Sequence, residues 1–147
     1  MSNINNLIID ATSDKIFLVL IKNKRIFTKT HKNIKANYEK LVVFINDILK
    51  NNKLSLKKIN TIYVNKGPGS YSGIRNSISI VKAITMIEKM DFYCFSFTDF
   101  LDARLKKKIL NNPQLIPKYN TFKYKDVPSL CNKYKIKKNL IKPLFLS

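Results

Sequence analysis

The sequence has few of the residues that build metal and catalytic centres. Its 147 residues include one histidine, two cysteines and nine acids, against 28 lysines and arginines. The single histidine, His31, excludes a His-Glu-x-x-His metalloprotease and any site that needs two histidines. Cys94 and Cys131 lack Cys-x-x-Cys spacing, so neither a zinc site nor a disulfide scaffold is indicated, and a reducing compartment fits best. We therefore expect no bound metal and no cofactor.

Long apolar runs and a charged leader are also missing. The longest unbroken apolar run, Ile16 to Ile21, is far short of the ~18 to 20 residues needed to span a bilayer. Met1 to Asn6 is polar and uncharged, which is not the pattern of a secretory signal peptide. We expect a cytoplasmic protein with no membrane partner, built as one domain or as one domain with a remnant of another.

Glycine is scarce and is concentrated in one place. The chain has three glycines, where an average composition of ~7% would give about ten. All three lie between Gly67 and Arg75, in the string Gly-Pro-Gly-Ser-Tyr-Ser-Gly-Ile-Arg. An apolar segment that ends at Asn65 precedes the string and is predicted to be a buried strand, and Ser70 or Ser72 can cap a helix after it. A strand, a glycine loop and a helix in that order can offer backbone N–H groups to an anion.

The loop fits neither of the common nucleotide motifs. Gly67 and Gly73 are separated by five residues and are followed by Ile74-Arg75, where a phosphate-binding loop needs Lys-Ser/Thr. The dinucleotide spacing fails as well, because the glycine after Gly69 comes four positions later. Two roles therefore remain open for the glycines, tight packing of strand on helix and direct ligand contact. Arg75 could hold an anion with two hydrogen bonds or clamp carbonyls of the loop itself.

Apolar periodicity predicts eight elements in the order strand, strand, strand, helix, strand, helix, strand, helix. Strands are expected over 7–10, 16–21, 25–30, 59–65 and 92–97, and helices over 37–51, 72–90 and 100–107. Asn23 suits a tight reversal between the second and third strands, and Thr98 with Asp99 can cap the last helix. Hairpins followed by helical crossovers predict an α/β fold with a mixed five-stranded sheet whose later strands are parallel.

The first two predicted helices carry more apolar residues than one contact face requires. In the second, one side is marked by Ile78, Val81 and Thr85 and another by Ile80, Ile84 and Ile87. A helix that is apolar on two sides needs burial on two sides. We therefore predict that these helices pack on the sheet and also on a second surface.

The formal net charge is +19, which permits a nucleic-acid or other anionic partner. The chain is rich in Lys, Asn and Ile throughout, so solvated lysines explain much of this charge. Residues 101–147 hold twelve Lys or Arg against two acids, with four prolines, and the aromatic residues Tyr119, Phe122, Tyr124 and Tyr134 lie among the lysines. This segment is either a basic and aromatic surface for RNA or a short remnant whose aromatic rings pack back on the domain.

The glycine string resembles Gly-Pro-Gly-Ser-Phe-Thr-Gly-Leu-Arg, the signature of the TsaB (YeaZ) family of bacterial tRNA threonylcarbamoyladenosine modification. The resemblance covers roughly residues 4–104 and includes Asp10 in Ile-Ile-Asp-Ala-Thr-Ser. It implies an actin/Hsp70-like (ASKHA) lobe over 1–104. A basic, reduced segment over 105–147 stands in place of the family's second lobe, and Ile-Lys-Pro-Leu-Phe-Leu at 141–146 resembles the family's closing Pro-x-Tyr-Leu.

The resemblance also implies a function. A TsaB-like protein is a non-catalytic accessory partner of a TsaD-like enzyme, with which it forms a heterodimer through the helices that correspond to 38–50 and 72–90. It implies a homodimer when the chain is alone, a TsaE-like ATPase as a possible further partner, and tRNA reached through the complex. The signature loop then comprises Gly67, Pro68, Gly69, Ser70, Tyr71, Ser72, Gly73 and Arg75. The candidate interface residues are Leu41, Phe44, Ile45, Ile48, Ile74, Ile78, Ile80, Val81 and Ile84.

Two alternatives to this function remain. The first is an independent actin-like ATP-using enzyme, in which Asp10 would be the metal-linked acid. It is disfavoured because the turn after Asp10, Ala-Thr-Ser-Asp, has no glycine to let backbone reach a phosphate. Asp10 is therefore expected to have a turn or cap role, and Ser70 and Ser72 have no neighbouring base in sequence to activate them. The second alternative is a small RNA-binding module in which residues 101–147 make the contact.

Overall fold

A computed structural model describes residues 4–144. It contains a five-stranded sheet in the order β3-β2-β1-β4-β5. The strands are β1 Asn5–Asp10, β2 Lys15–Lys22, β3 Arg25–Lys32, β4 Thr61–Asn65 and β5 Asp91–Phe95. The pairs β1–β2 and β2–β3 are antiparallel, whereas β1–β4 and β4–β5 are parallel. The predicted mixed α/β sheet with parallel later strands is confirmed.

The β2–β3 hairpin turns where the sequence indicated. Asn23 and Lys24 both have positive φ, 50° and 69°, and Lys22 pairs directly with Arg25. Two central residues with positive φ characterise the hairpin turn whose twist matches the twist of its strands. Asparagine tolerates this conformation better than most residues because its short side chain bonds locally. Residues 15–32 therefore form a tight two-stranded ribbon at one edge of the sheet.

Six α-helices accompany the strands within residues 4–144. They are α1 Lys35–Tyr38, α2 Leu41–Asn51, α3 Tyr71–Glu88, α4 Ala103–Asn111, α5 Ile116–Tyr119 and α6 Val127–Lys133. Short 3₁₀ turns cover 56–58, 97–100, 113–115 and 124–126. Of the two serines predicted as possible caps of α3, Ser70 is the cap, and its side chain accepts a hydrogen bond from Gly73 N.

The helix predicted over 37–51 is in fact two helices. Lys40 N donates to Asn37 O, three residues back, and the carbonyl of Tyr38 accepts from the side chain of Asn76 on α3. In a continuous helix Tyr38 O would accept from the amide of Val42. A hydrogen bond from another element therefore occupies the carbonyl, and apolar periodicity along the chain could not reveal it.

The helix predicted over 100–107 begins later, at Ala103, and runs to Asn111. Ser96 and Asp99 form a reciprocal capping box that closes a 3₁₀ turn over 97–100. Asp102, not Thr98 or Asp99, caps α4, and its carboxylate accepts from Leu105 N at 2.8 Å. Asp99 and Asp102 lie close together in sequence, and Asp99 caps the 3₁₀ turn rather than the helix.

The two faces of the sheet carry separate apolar cores. Alternate residues of β1 point to opposite faces, so Leu7 and Ile9 join one core while Ile8 joins the other. The first core lies beneath α2 and α3 and is the larger. The second lies beneath the C-terminal segment, whose Val127 and Cys131 are fully buried.

The C-terminal segment packs back on the sheet. Phe122 contacts Phe95 edge to face at 5.7 Å between ring centroids, and Tyr124 lies 5.6 Å from Phe17. The boundary predicted between residues 104 and 105 falls inside α4. The closing string at 141–146 is described only as far as Leu144, whose amide donates to Lys66 O at 2.7 Å. None of the helices within 4–144 has the length and apolar character to cross a membrane.

Candidate functional site

The glycine loop joins β4 to α3 and is pressed against other backbone at each glycine. A Cβ added to Gly69 would overlap the carbonyl oxygen of Thr12, and one added to Gly73 would overlap that of Ala11. Gly67 has φ +116°, and its Cβ would overlap the carbonyl oxygen of Leu144. The Gly67–Pro68 peptide is cis. The three glycines are therefore explained by the turn after β1 and by the C-terminal segment, which pass too close for any side chain.

Three amides of the loop already have partners in the protein. Gly67 N donates to Asn65 Oδ1 at 3.0 Å, Ser70 N donates to Thr12 O at 2.9 Å, and Gly73 N donates to Ser70 Oγ at 3.4 Å. An anion-binding loop keeps such amides free to point at a ligand. These hydrogen bonds favour packing over ligand contact, the first of the two roles that the sequence left open.

Asp10 is at the end of β1 and is 5% exposed. Its Oδ1 accepts from the amide of Thr12 at 3.1 Å and from the Thr12 hydroxyl at 2.7 Å. Its Oδ2 accepts from Asn65 Nδ2 at 3.0 Å and from the Tyr124 hydroxyl at 2.8 Å. Four donors satisfy this carboxylate. Burial, together with the charge of Asp10, raises the pKa of Tyr124 well above its usual range, so the phenol keeps its proton.

Sequence reasoning missed the partners of Asp10. Tyr124 is 114 positions away in the chain, and no local pattern links the two residues. Asn65 gave a weak signal, because a polar residue that closes a buried strand is a common feature of sites at the carboxyl edge of a sheet. Asn33 was also missed. Its side-chain amide donates to Ala11 O and Ser13 O at 2.8 and 2.7 Å, which fixes the turn that faces Gly73.

The polar residues at the start of α3 face outward. Tyr71, Ser72 and Arg75 are exposed, and the Arg75 guanidinium lies 5.7 Å from the centroid of the Tyr71 ring. Among residues 4–144, Arg75 makes no side-chain hydrogen bond to a loop carbonyl. The clamp role considered for Arg75 is thus replaced by a cation–π contact with Tyr71.

Most of the candidate interface residues lie inside the chain's own core. Seven of the nine are buried: Leu41, Ile45, Ile48, Ile74, Ile78, Val81 and Ile84. Phe44 and Ile80 are partly buried, and Phe44 stacks on His31 with 3.7 Å between ring centroids. The seven buried residues contact the sheet, so the choice of these side chains as partner contacts needs correction. Periodicity had identified apolar helices, but not which stripe of each faces the sheet.

A different set of apolar residues faces solvent on the same two helices. On α2, Val42 and Val43 are 46% and 54% exposed, and on α3, Met86 and Ile87 are 70% and 76% exposed. Ala83 is exposed beside them. We call these five residues, together with the partly buried Ile80, the α2–α3 face. They replace the seven buried residues as the surface through which these helices could meet a partner.

The only histidine is adjacent to α2 rather than in a cleft. Partial burial, aided by the positive charge of Lys29, lowers the pKa of His31 below its usual value. His31 therefore stacks on Phe44 as a neutral ring at pH 7. Among the described residues there is no group of three or more His, Cys, Asp or Glu side chains that could hold a metal ion. The structure thus gives the chain an α/β lobe, a glycine loop with three amides bonded to the protein itself, and an exposed apolar helix face.

A family model described as "TsaD: tRNA N6-adenosine threonylcarbamoyltransferase" matches residues 26–116. Two curated relatives are called "tRNA threonylcarbamoyladenosine biosynthesis protein TsaB". The one from Buchnera aphidicola subsp. Schizaphis graminum is 29% identical over 69% of this chain and 49% of its own length. The one from Buchnera aphidicola subsp. Baizongia pistaciae is 40% identical over 38% of this chain and 29% of its own. The chain thus spans about half the length of these relatives, or less.

The solved structure of YeaZ from Pseudomonas aeruginosa superposes with a TM-score of 0.61 at 16% identity, over 76% of this chain and 50% of that one. A second structure, of a protein described as similar to peptidase YeaZ, also from Pseudomonas aeruginosa, gives 0.61 at 18% identity, over 71% and 49%. These likenesses show the fold, an ASKHA-type α/β lobe. The chain belongs to the TsaD family, and the relatives named TsaB together with the structures named YeaZ support a place in the TsaB (YeaZ) group.

Proposed function

We propose that this chain is a non-catalytic partner of a TsaD-like enzyme in the threonylcarbamoyl modification of the adenosine next to the tRNA anticodon. Its role is to hold that enzyme in working form by helix-to-helix association. Membership of the TsaB group, whose curated relatives are named for threonylcarbamoyladenosine biosynthesis, supports the pathway. The partner, the tRNA reached through it, a TsaE-like ATPase and a cytoplasmic location are parts of this proposal.

The observation that carries the proposal is the α2–α3 face. Met86 and Ile87 are two adjacent large apolar side chains that are more than two-thirds exposed, on a helix packed beside the exposed Val42 and Val43. Exposed apolar residues on two neighbouring helices are typical of a protein–protein contact. Lys82 and Glu88 on α3, and Lys89 directly after it, are charged residues close to these apolar residues in the chain, and a polar border of this kind is common at such contacts.

The hydrogen bonds of Asp10 and of the glycine loop support the non-catalytic part of the proposal. The Asp10 carboxylate is saturated by four hydrogen bonds, one of them from the C-terminal segment. Three amides of the glycine loop bond to the protein itself. An actin-like ATP-using enzyme would need these groups for metal and phosphate. That alternative is tested by ATP turnover of the purified chain, which we expect to equal the buffer blank.

The experiment that tests the proposal is capture of the source organism's own TsaD-like protein on the immobilised chain. Ile87→Glu and Ala83→Glu should each abolish capture, because they place a carboxylate within the α2–α3 face. Ile26→Glu is the matched control, since Ile26 is also exposed and apolar but lies on β3 at the sheet edge. It should leave capture unchanged.

A reconstituted tRNA modification assay then tests the function itself. We expect modification of tRNA by the TsaD-like enzyme to require the wild-type chain and to fail with Ile87→Glu. Full modification in the absence of this chain would refute the accessory role. Equal loss with Ile87→Glu and Ile26→Glu would refute the assignment of the face.

A further inference from the structure

The C-terminal segment contains a groove that combines aromatic rings with lysines. This aromatic groove has a volume of about 410 Å³ and is lined by Phe100, Tyr119, Phe122, Tyr134, Lys118 and Lys123, among others. Phe100 and Phe122 pack against the second core, on the side of the sheet opposite α2 and α3. The groove is therefore separate from the α2–α3 face, and a ligand in it would not compete with a partner there.

The rings of the groove are held in place by one another. Phe122 stands edge-on to Phe100 with 6.4 Å between centroids, and Phe100 lies 5.7 Å from Tyr134 at 44°. The two tyrosines form the rim, and each has a lysine over its ring. Lys118 Nζ lies 5.5 Å from the centroid of Tyr119, and Lys133 Nζ lies 5.3 Å from that of Tyr134. Tyr134 is 39% exposed, so part of a fixed aromatic surface is open to solvent beside positive charge.

A second pocket lies on the other side of the turn that follows α6. It has a volume of about 180 Å³ and is lined in part by Lys66, Lys135, Lys137 and Lys142; we call these four the lysine pocket. Lys66 pairs with Asp99 at 3.1 Å, but the other three are exposed and make no ion pair among residues 4–144. Lys135 follows Tyr134 directly in the chain, with φ 54°. One turn thus carries a ring to the aromatic groove and a cation to the lysine pocket.

We propose that the aromatic groove and the lysine pocket together bind single-stranded RNA, with unpaired bases on the tyrosines and backbone phosphates on the lysines. Residues 101–147 hold twelve Lys or Arg against two acids, so a polyanion is the complementary ligand. Stacking on exposed rings needs bases that are not already paired, which favours a single strand over a duplex. An acidic peptide would satisfy the lysines but has no planar groups for the rings.

The aromatic groove also contains an acid, which bears on the choice between RNA and DNA. Asp126 is among the lining residues, and a carboxylate repels phosphate but accepts hydrogen bonds from a hydroxyl or an amine. The phosphates are therefore expected at the lysine pocket and the sugar or base edge at Asp126. A ribose 2′-hydroxyl is a donor that DNA lacks. This contact is the reason to expect RNA rather than DNA.

The test uses the full chain and fluorescein-labelled 12-nucleotide oligouridine, with fluorescence anisotropy as the readout and oligodeoxyuridine, duplex RNA and a poly-glutamate peptide as comparison ligands. Tyr119→Ala with Tyr134→Ala should weaken binding by about tenfold or more with an unchanged salt dependence, because stacking is worth about 1–3 kcal/mol per base. Lys135→Gln with Lys137→Gln should lower the slope of log K against log salt by about 1.4, since each phosphate contact to a single strand contributes about 0.7.

Matched control variants distinguish RNA binding at this site from nonspecific attraction to the protein's positive charge. Lys29→Gln with Lys57→Gln removes two exposed lysines elsewhere, and Tyr71→Ala removes an exposed tyrosine on α3. Both should stay within about twofold of wild type in affinity, and circular dichroism should show every variant folded. The proposal would be overturned if the two lysine pairs caused equal losses, or if the tyrosine pair caused none. It would also be overturned if oligodeoxyuridine or duplex RNA bound as well as oligouridine, if the peptide bound better, or if oligouridine did not bind at all.

Discussion

The Tyr124 hydroxyl donates a hydrogen bond to Asp10 Oδ2 at 2.8 Å, and so joins the C-terminal segment to the end of the first strand. In an actin-like ATPase an acid at this position serves a metal. In this chain Asp10 Oδ2 instead accepts hydrogen bonds from the Tyr124 hydroxyl and from the Asn65 side chain. The polar end of β1 therefore helps to hold the chain's two segments together.

Tyr124→Phe tests this hydrogen bond. The variant keeps the ring but leaves a buried carboxylate oxygen with one donor fewer, which should lower the free energy of unfolding by about 1–3 kcal/mol. Urea denaturation at pH 7 measures the change. Tyr119→Phe is the control, because Tyr119 makes no hydrogen bond through its hydroxyl among the described residues. Equal stability of Tyr124→Phe and wild type would contradict the structural role of the contact.

Gly69→Ala tests why the loop needs glycine. Its Cβ would meet the carbonyl oxygen of Thr12, so either the loop or the turn after β1 must shift. We expect a loss of about 1–3 kcal/mol, typical of an overpacked site. This loss would come from the close approach of Thr12 and not from backbone strain, because Gly67, not Gly69, is the glycine with positive φ. Ser72→Ala, on an exposed neighbour, should change stability by less than about 0.5 kcal/mol. Thermal melting of both variants measures the difference, and equal melting would refute the packing role.

Self-association tests the α2–α3 face without any partner. We expect the isolated wild-type chain to dimerise, because the exposed Met86 and Ile87 need cover, and an interface of about 1,600 Å² in total would suffice. Light scattering at high micromolar concentration measures the mass. Ile87→Lys should give a monomer that stays folded, since Ile87 contributes little to the core. A monomeric wild-type chain at that concentration would rule the homodimer out.

The two cysteines predict an effect of high pH. Burial raises the pKa of Cys94 to about 11 and that of Cys131 to about 12. The unfolded chain, whose thiols have pKa values of about 8.5, therefore loses these protons first as the pH rises. The unfolded state then binds fewer protons, so stability falls between about pH 9 and pH 12. In Cys94→Ala with Cys131→Ala, urea denaturation should show a smaller loss of stability from pH 8 to pH 10 than in wild type.

Thiol labelling at neutral pH gives an independent check on the same two residues. Both side chains are buried and unpaired with each other, so a disulfide-exchange reagent should react slowly with the native chain and at once in urea. Rapid labelling of the native chain would show that one of them is accessible, contrary to the packing described.

The sequence was most informative where a local pattern has a local cause. The reversal at Asn23 and a serine cap at Ser70 or Ser72 both follow from chemistry within a few residues. The structure confirms the reversal and selects Ser70 as the cap. The concentration of glycine at 67–73 correctly marked a place of close approach. The backbone that approaches comes from residues 11, 12 and 144, which no reading of the loop alone could supply.

Failures arose where a distant residue decides the outcome. Asn76 takes the Tyr38 carbonyl and divides the first helix, and Tyr124 closes over Asp10. The candidate interface was misplaced for a related reason. Ile84 and Ile87 are equally apolar in sequence, yet one packs on the sheet and the other faces solvent. The elements that surround a helix decide which of its faces is buried. When a helix is apolar on two sides, its sequence alone does not indicate which side packs on the sheet.

The second core sets a lower limit on how short this protein can be. Ile8, Val19 and Tyr63 lie on the sheet face that the C-terminal segment covers, and without that cover β1, β2 and β4 would expose an apolar layer to water. A chain cut at residue 104 should therefore aggregate rather than behave as a smaller version of the lobe. The residues that cover Ile8, Val19 and Tyr63 are therefore as much a part of this lobe as the strands themselves.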